Sequence, residues 1–328
     1  MKIRLSNILI LMLFCTFTIM ADVYTTPDGH QFEVNLIPDK PEIMIGEPLF
    51  LSFEVKNLSN VDLAFSDGGD YRNRLGRPLS YDIKAIGDDG REVPVPEIKY
   101  NMGGMIGLRK IEKNGGTYAV RLFLPLWSPF EEAGDYNIIC NKSLKIRYFE
   151  KDSPRIDYFS IKGVPVSVKT KINVVSNNES KMSKIIDFWG EEITNSKSFE
   201  RSYEAIRALE YIGDKRIIKP LIKAVRGEKE FSTIDSAIRL LGKFDEDEAF
   251  TTIVSQMNHK TNSVRIAVVE ALSFSKNRKA FANLLKLKDD DDKFVRLAVL
   301  QSLGRSGTPM TIKIMKEMLN GRKKQRTF

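Results

Sequence analysis

One short pattern returns four times near the C-terminus: Ala205-Ile206-Arg207-Ala208-Leu209, Ala237-Ile238-Arg239-Leu240-Leu241, Val268-Val269-Glu270-Ala271-Leu272 and Val299-Leu300-Gln301-Ser302-Leu303. The closing leucines are spaced by 32, 31 and 31 residues. A second register, of core positions on the second helices, accompanies the first: Ile218, Phe250, Phe281 and Ile312 align, as do Leu221, Ile253, Leu284 and Met315. A period near this length with helical texture restricts the chain to a stack of helix pairs, since no single pair can bury its apolar side alone. Such stacks build extended surfaces for partners rather than closed catalytic pockets.

The pattern predicts first helices over 199–212, 233–243, 263–273 and 293–304, and second helices over 216–225, 246–257, 278–287 and 309–319. Residues 177–198 form a linker and a helix that caps the stack, with Met182, Ile185, Ile186, Trp189 and Ile193 at helical spacing. The four repeats occupy 199–320 and a basic tail 321–328. The run from Ala205 through Gly213-Asp214-Lys215-Arg216 resembles HEAT repeats, in particular the short bacterial type of phycobilin lyases. The resemblance implies a fully helical solenoid over 199–320. Its family includes chromophore lyases, a di-iron hydroxylase and many scaffolds, and the iron-binding members carry repeated His-Glu pairs. Here the two histidines, His30 and His259, are followed by Gln31 and Lys260. The ligand set for such a site is missing, so no metal or other cofactor is expected.

Upstream the period changes to two. Leu49, Leu51, Phe53 and Val55 alternate with polar or solvent-side neighbours, as do Tyr81, Ile83 and Ala85, then Tyr118, Val120 and Leu122, then Tyr136, Ile138 and Cys140. These are half-buried strands, separated by turn-forming runs such as Gly87-Asp88-Asp89-Gly90 and Lys113-Asn114-Gly115-Gly116. Strands at such intervals without intervening helices predict a β-sandwich over 22–176. Glu132-Ala133-Gly134-Asp135-Tyr136 resembles the tyrosine corner of immunoglobulin-like domains, with Ile138 where antibody domains hold a cysteine. The resemblance implies an N-terminal all-β immunoglobulin-like sandwich joined to a C-terminal all-α HEAT-type solenoid. Two long loops, Asp67 to Pro78 with Tyr71, Arg72, Arg74 and Arg77, and Asn101 to Gly107 with Met102 and Met105, either offer contact surfaces or fold back over an open end.

Lys2 and Arg4 precede an apolar run, Ile8 to Ile19, and Ala21 offers a small residue for cleavage. This is the layout of a signal peptide at 1–21, cleaved or kept as an anchor, and it predicts export to the periplasm or beyond. Cleavage removes Cys15 and leaves Cys140, which has no partner for an internal disulfide and reads as a small buried hydrophobe on a strand. From Asn177 onward 29 Lys and Arg face 21 Asp and Glu, so the net charge of +8 resides in the helical half. That balance favours acidic partners.

The second helices line the inner face of such solenoids and carry Arg216, Lys219, Lys223, Lys279, Lys286, Lys313 and Lys316, interrupted in the second repeat by Glu248, Thr251 and Ser255. These seven basic residues are the candidate partner-binding site. An acidic protein is the expected partner and an envelope polymer the alternative. Nucleic acid is disfavoured, because stacking aromatics are few on this face. The run Asp289-Asp290-Asp291-Asp292 lacks the alternating spacing and Gly bend of a calcium loop and reads as a solvated loop ahead of a helix. No Gly-x-Ser-x-Gly elbow, phosphate loop or zinc-type Cys/His cluster is present. The expected function is non-catalytic protein binding. The alternatives are a lyase- or hydrolase-type enzyme with a site between the domains, or polymer binding by the sandwich.

Overall fold

The computed structural model describes residues 22–68, 72–73, 77–98, 101–102, 106–149, 162–196, 198–227 and 230–325. Residues 1–21, where the signal peptide is expected, loop residues Tyr71, Arg74 and Met105, and Arg326 of the tail lie outside the described residues. The N-terminal part is rich in β-strand and the C-terminal part is helical. The two form separate compact units, with the short segment Met44–Pro48 grouped with the helices. Among the described residues no helix is long and apolar enough to cross a membrane.

The strands are β1 (Asp22–Thr25), β2 (Gln31–Pro38), β3 (Glu42–Met44), β4 (Phe50–Asn57), β5 (Leu63–Gly68), β6 (Arg72–Asn73), β7 (Asp82–Gly87), β8 (Asn101–Met102), β9 (Ile106–Ile111), β10 (Thr117–Phe123), β11 (Gly134–Leu144), β12 (Ile146–Tyr148) and β13 (Val164–Val175). They form two four-stranded sheets, β1-β2-β4-β10 and β3-β13-β11-β7, with a three-stranded sheet β12-β5-β9 and the pair β6-β8. Period-two alternation is kept where one face is covered. Phe32, Val34 and Leu36 on β2, Phe53 and Val55 on β4, and Tyr136, Ile138 and Cys140 on β11 are all buried. Cys140 stands opposite Ile83 of β7 and Val168 of β13. Burial pushes its thiol up to about 12, which makes it an inert packing residue. Lys142 lies on the same buried row. Its ammonium donates to Ser80 Oγ at 2.6 Å and sits 3.5 Å from the centroid of the Tyr81 ring, so its burial is compensated.

β9 is a strand that the sequence pattern does not mark, and it begins inside the expected loop Asn101 to Gly107. Most of its side chains are at least partly exposed and it lies at a sheet edge, so no alternation marks it. Arg77 does not offer itself to a partner from its loop. It is buried and donates to the carbonyls of Pro96 and Leu126 at 3.0 and 2.9 Å. The Tyr136 hydroxyl donates to the Glu132 carbonyl at 3.0 Å, closing the turn before β11. Tyr136→Phe is expected to lower stability by about 1 kcal/mol, read from urea denaturation, because one buried-edge hydrogen bond is lost with little change in packing.

The helices are α1 (Glu179–Asn195), α2 (Phe199–Ile212), α3 (Ile218–Arg226), α4 (Phe231–Leu241), α5 (Asp247–Ser255), α6 (Asn262–Phe274), α7 (Ala280–Lys286), α8 (Lys293–Ser306) and α9 (Pro309–Gln325). Side-chain caps start several of them: Asn178 accepts from the Lys181 amide, Ser198 from Arg201, and Asp292 from Phe294 and Val295. Gly213 ends α2 in the left-handed conformation at φ 63°, where its amide reaches the Leu209 carbonyl. First helices α2, α4, α6 and α8 pack in sequence, and the four repeated leucines are at most 2% exposed. Ile217, Ala249, Ala280 and Thr311 follow the same 32, 31, 31 spacing and are also buried. The interval from leucine to second helix is therefore equal in every pair, and the extra residue of the first spacing falls in the connection between α3 and α4.

One expectation of the second register fails in the later repeats. Ile218 and Phe250 are 3% and 9% exposed, but Phe281 and Ile312 are 38% and 44% exposed. The residue just before each supplies the buried contact instead. Leu221, Ile253 and Leu284 keep their expected places in the core.

Candidate functional site

The candidate basic residues divide into two groups. At the first, a short turn (Lys215–Ile217) opened by Asp214 leads into α3. Arg216 is committed within the unit and is not available as proposed from sequence. Its guanidinium donates to Asp214 Oδ2 at 2.6 Å, Glu179 Oε2 at 3.1 Å and Ser183 Oγ at 2.7 Å. The Asp214 hydrogen bond comes first among the causes that hold Arg216 above its ordinary range. Lys219 and Lys223 stand one helical turn apart on α3 and are both exposed. They line a groove of about 560 Å³ between α1 and α3, together with Lys215 and, opposite in sign, Asp187, Glu191 and Glu248. Close approach of the two helices requires Gly190, since a Cβ there would lie 2.8 Å from Pro220 Cβ.

The second group stands on the last two repeats. Lys279 precedes α7 and is exposed, Lys286 ends α7 and donates to Asn283 Oδ1 at 3.0 Å, and Lys313 and Lys316 are exposed on α9. Register explains the division. The row of Lys219 continues as Thr251, Ala282 and Lys313, that of Lys223 as Ser255, Lys286 and Glu317, and that of Arg216 as Glu248, Lys279 and Met310. No row is basic along its whole length, and the face is cationic at its two ends.

The aspartate run departs from a solvated loop. Asp292 caps α8 and accepts from Asn262 Nδ2 at 2.9 Å. Asp290 accepts from both Nε and Nη2 of Arg265 at 2.8 Å, with side-chain exposures of 8% and 15% for acid and base. Burial alone would raise the Asp290 carboxyl, but the Arg265 guanidinium and the Asp292 amide outweigh it and hold the group below the usual carboxylate range. Arg265 also donates to the His259 carbonyl at 2.7 Å, and Arg296, one period later, to the carbonyls of Asp290 and Asp291. Arg265 thus ties α6 to the loop before the next first helix, while Arg296 holds the loop that leads into its own helix. Among the described residues no group of three or more His, Cys, Asp or Glu side chains is arranged to hold a metal ion.

Sequence reasoning missed an acidic groove of about 520 Å³ in the β unit, lined by Asp88, Asp89, Glu92, Glu131, Glu132 and Asp135. Arg91 lies among them, paired with Asp89 at 2.6 Å and Glu132 at 3.2 Å. The two acidic turns are distant in sequence, and the pairing of Gly87 with Tyr136 across β7 and β11 brings them together.

Two stretches, 186–273 and 251–327, match the family model for HEAT repeats, so the C-terminal half carries HEAT repeats. Among solved structures, the chain is similar to human deoxyhypusine hydroxylase at 20% identity over 36% of this chain and 42% of that chain, with a TM-score of 0.33. It thus spans less than half the length of that enzyme. The complex of CpcE and CpcF of phycocyanin lyase from Nostoc sp. PCC7120 is similar at 18% identity over 38% of this chain and 91% of that one, with a TM-score of 0.31. Computationally designed armadillo repeat proteins for modular peptide recognition align at 14% identity over 43% and 83%, with a TM-score of 0.25. No curated protein matches the chain in sequence.

Proposed function

We propose that this chain is an exported, non-catalytic scaffold whose helical repeats capture an acidic protein partner on the face of their second helices. The observation that carries this reading is the exposure of Lys219, Lys223, Lys286, Lys313 and Lys316 on the second helices of a stack whose apolar spine is closed. Exposed ammonium groups on a rigid repeat surface attract and orient an acidic partner at little conformational cost. We further read the β unit as an immunoglobulin-like sandwich. Its two four-stranded sheets, antiparallel across β1-β2-β4-β10 and across β13-β11-β7, and the Tyr136–Glu132 hydrogen bond support that assignment. Its loops 87–94 and 129–135 give a second surface of opposite charge. Export rests on Lys2, Arg4 and the apolar run that follows them.

The test reverses charge without touching the core. The fourfold variant Lys219→Glu, Lys223→Glu, Lys286→Glu and Lys313→Glu is expected to keep its melting curve and to lose capture of acidic proteins from an envelope extract. Capture at the level of the unaltered chain would remove the reading. An enzyme-like activity that survives the same variant would favour the lyase or hydrolase alternative.

A further inference from the structure

The uncovered apolar row on the second helices has a direction. Exposure along it rises from 3% at Ile218 and 9% at Phe250 to 38% at Phe281 and 44% at Ile312. On α9 the face continues to Leu319, which is 51% exposed and lies seven residues after Ile312, with Lys316 between them. Single exposed apolar residues are ordinary, but Phe281 and Ile312 hold one register position in consecutive repeats, and Leu319 shares the helix face of Ile312. Lys313 and Lys316 flank Ile312 on α9, Lys286 stands at the end of α7 five residues after Phe281, and Glu317 is the one acidic residue in α9.

The start of the same stack illustrates what fits such a face. There α1 packs on α2 and α3, and Ile186 and Ile218 line one groove. α1 is amphipathic and acidic, with Glu179, Asp187, Glu191 and Glu192 against Lys181 and Lys184. Its acids meet the bases of the repeat. Glu179 lies 3.1 Å from Arg216, and Glu192 lies 2.6 Å from Arg201. α1 thus lies against both α2 and α3, with Ile186 and Ile218 on one groove and its carboxylates meeting Arg216 ahead of α3 and Arg201 on α2.

We propose that the row Phe281, Ile312 and Leu319 is the docking site for an acidic amphipathic helix of a partner protein, held as α1 is held at the other end. This rests on the scaffold reading above and deepens it by naming the partner's chemistry. Lys286, Lys313 and Lys316 supply the charge that selects an acidic helix over a neutral one, and the apolar row supplies the contact area that a purely electrostatic surface lacks. A second copy of this chain is a poorer occupant, because its acidic amphipathic helix, α1, is already packed on α2 and α3 and the helical half as a whole is basic.

The experiment uses the full chain with a photoreactive benzoylphenylalanine at position 281 or 312, irradiated in envelope extract, with the crosslinked peptides sequenced. The expected result is one partner segment captured from both positions, net negative and with apolar residues at helical spacing. A synthetic peptide of that segment should lose affinity by about tenfold or more for the variant Phe281→Ser, Ile312→Ser, which stays folded with a modestly lowered melting curve because both residues lie at the surface. Crosslinks to another copy of this chain, to a segment without negative charge or helical spacing, or to no protein overturn the proposal, as does unchanged affinity for the double variant. Loss of capture by the charge-reversed variant together with full capture by Phe281→Ser, Ile312→Ser would leave the scaffold reading standing and remove this inference alone. Retention by both variants would remove both.

Discussion

Leu241→Ala is expected to remove about 3 kcal/mol of stability, measured by urea denaturation followed by circular dichroism. Leu241 is fully buried near the end of α4, and α4 packs on the first helices before and after it. Truncation deletes three carbons and leaves a cavity that neighbouring first helices cannot close without shifting the stack. A solenoid is held by intrinsic repeat stabilities and nearest-neighbour interfaces, so a defect in an interior repeat weakens coupling on both sides. The transition should broaden as well as shift. Phe281→Ala is the matched control. Its side chain is 38% exposed, so the expected loss is under about 1 kcal/mol. Equal losses at the two positions would contradict a spine built from the repeated leucines and an open row beside it.

Asp290→Ala is expected to cost about 2 kcal/mol, because it strands Arg265, which is largely covered and donates two hydrogen bonds to that carboxylate. The figure is below that of a deeply buried pair, since this one lies under a loop. The pair also sets a pH dependence. Asp290 is held below its ordinary range in the folded chain, so its contribution is fully present above the unfolded value of about 3.9 and is lost as pH falls through the folded value. Unfolding at pH 7 and at pH 3 should therefore separate wild type from Asp290→Ala by a smaller margin at the lower pH. A margin that does not shrink would show that the aspartate acts through something other than its charge.

The four leucines, the helix pairs and the alternating strands were legible because each depends on a local period that one covered face imposes. Tyr136 was legible because a tyrosine after a Gly-Asp turn has a short reach to a carbonyl four residues back. Asp290 was misread as solvated because its arginine stands 25 residues earlier in the chain, and pairing across repeats has no local signature. Phe281 and Ile312 were misread for a different reason. Apolar residues at helical spacing read as core whether or not another helix arrives to cover them.

Sequence alone determined the helix pairs, the alternating strands, the repeat period, the leucine spine and the seat of the positive charge, all of which follow from local patterns along the chain. Tertiary structure alone decided which of those charges are already occupied. Arg216 is held by Glu179 and Asp214, while Lys219 and Lys313 remain exposed on the surface. It likewise decided where the apolar row opens, because exposure depends on which helix packs against which, and that is a property of the assembled stack.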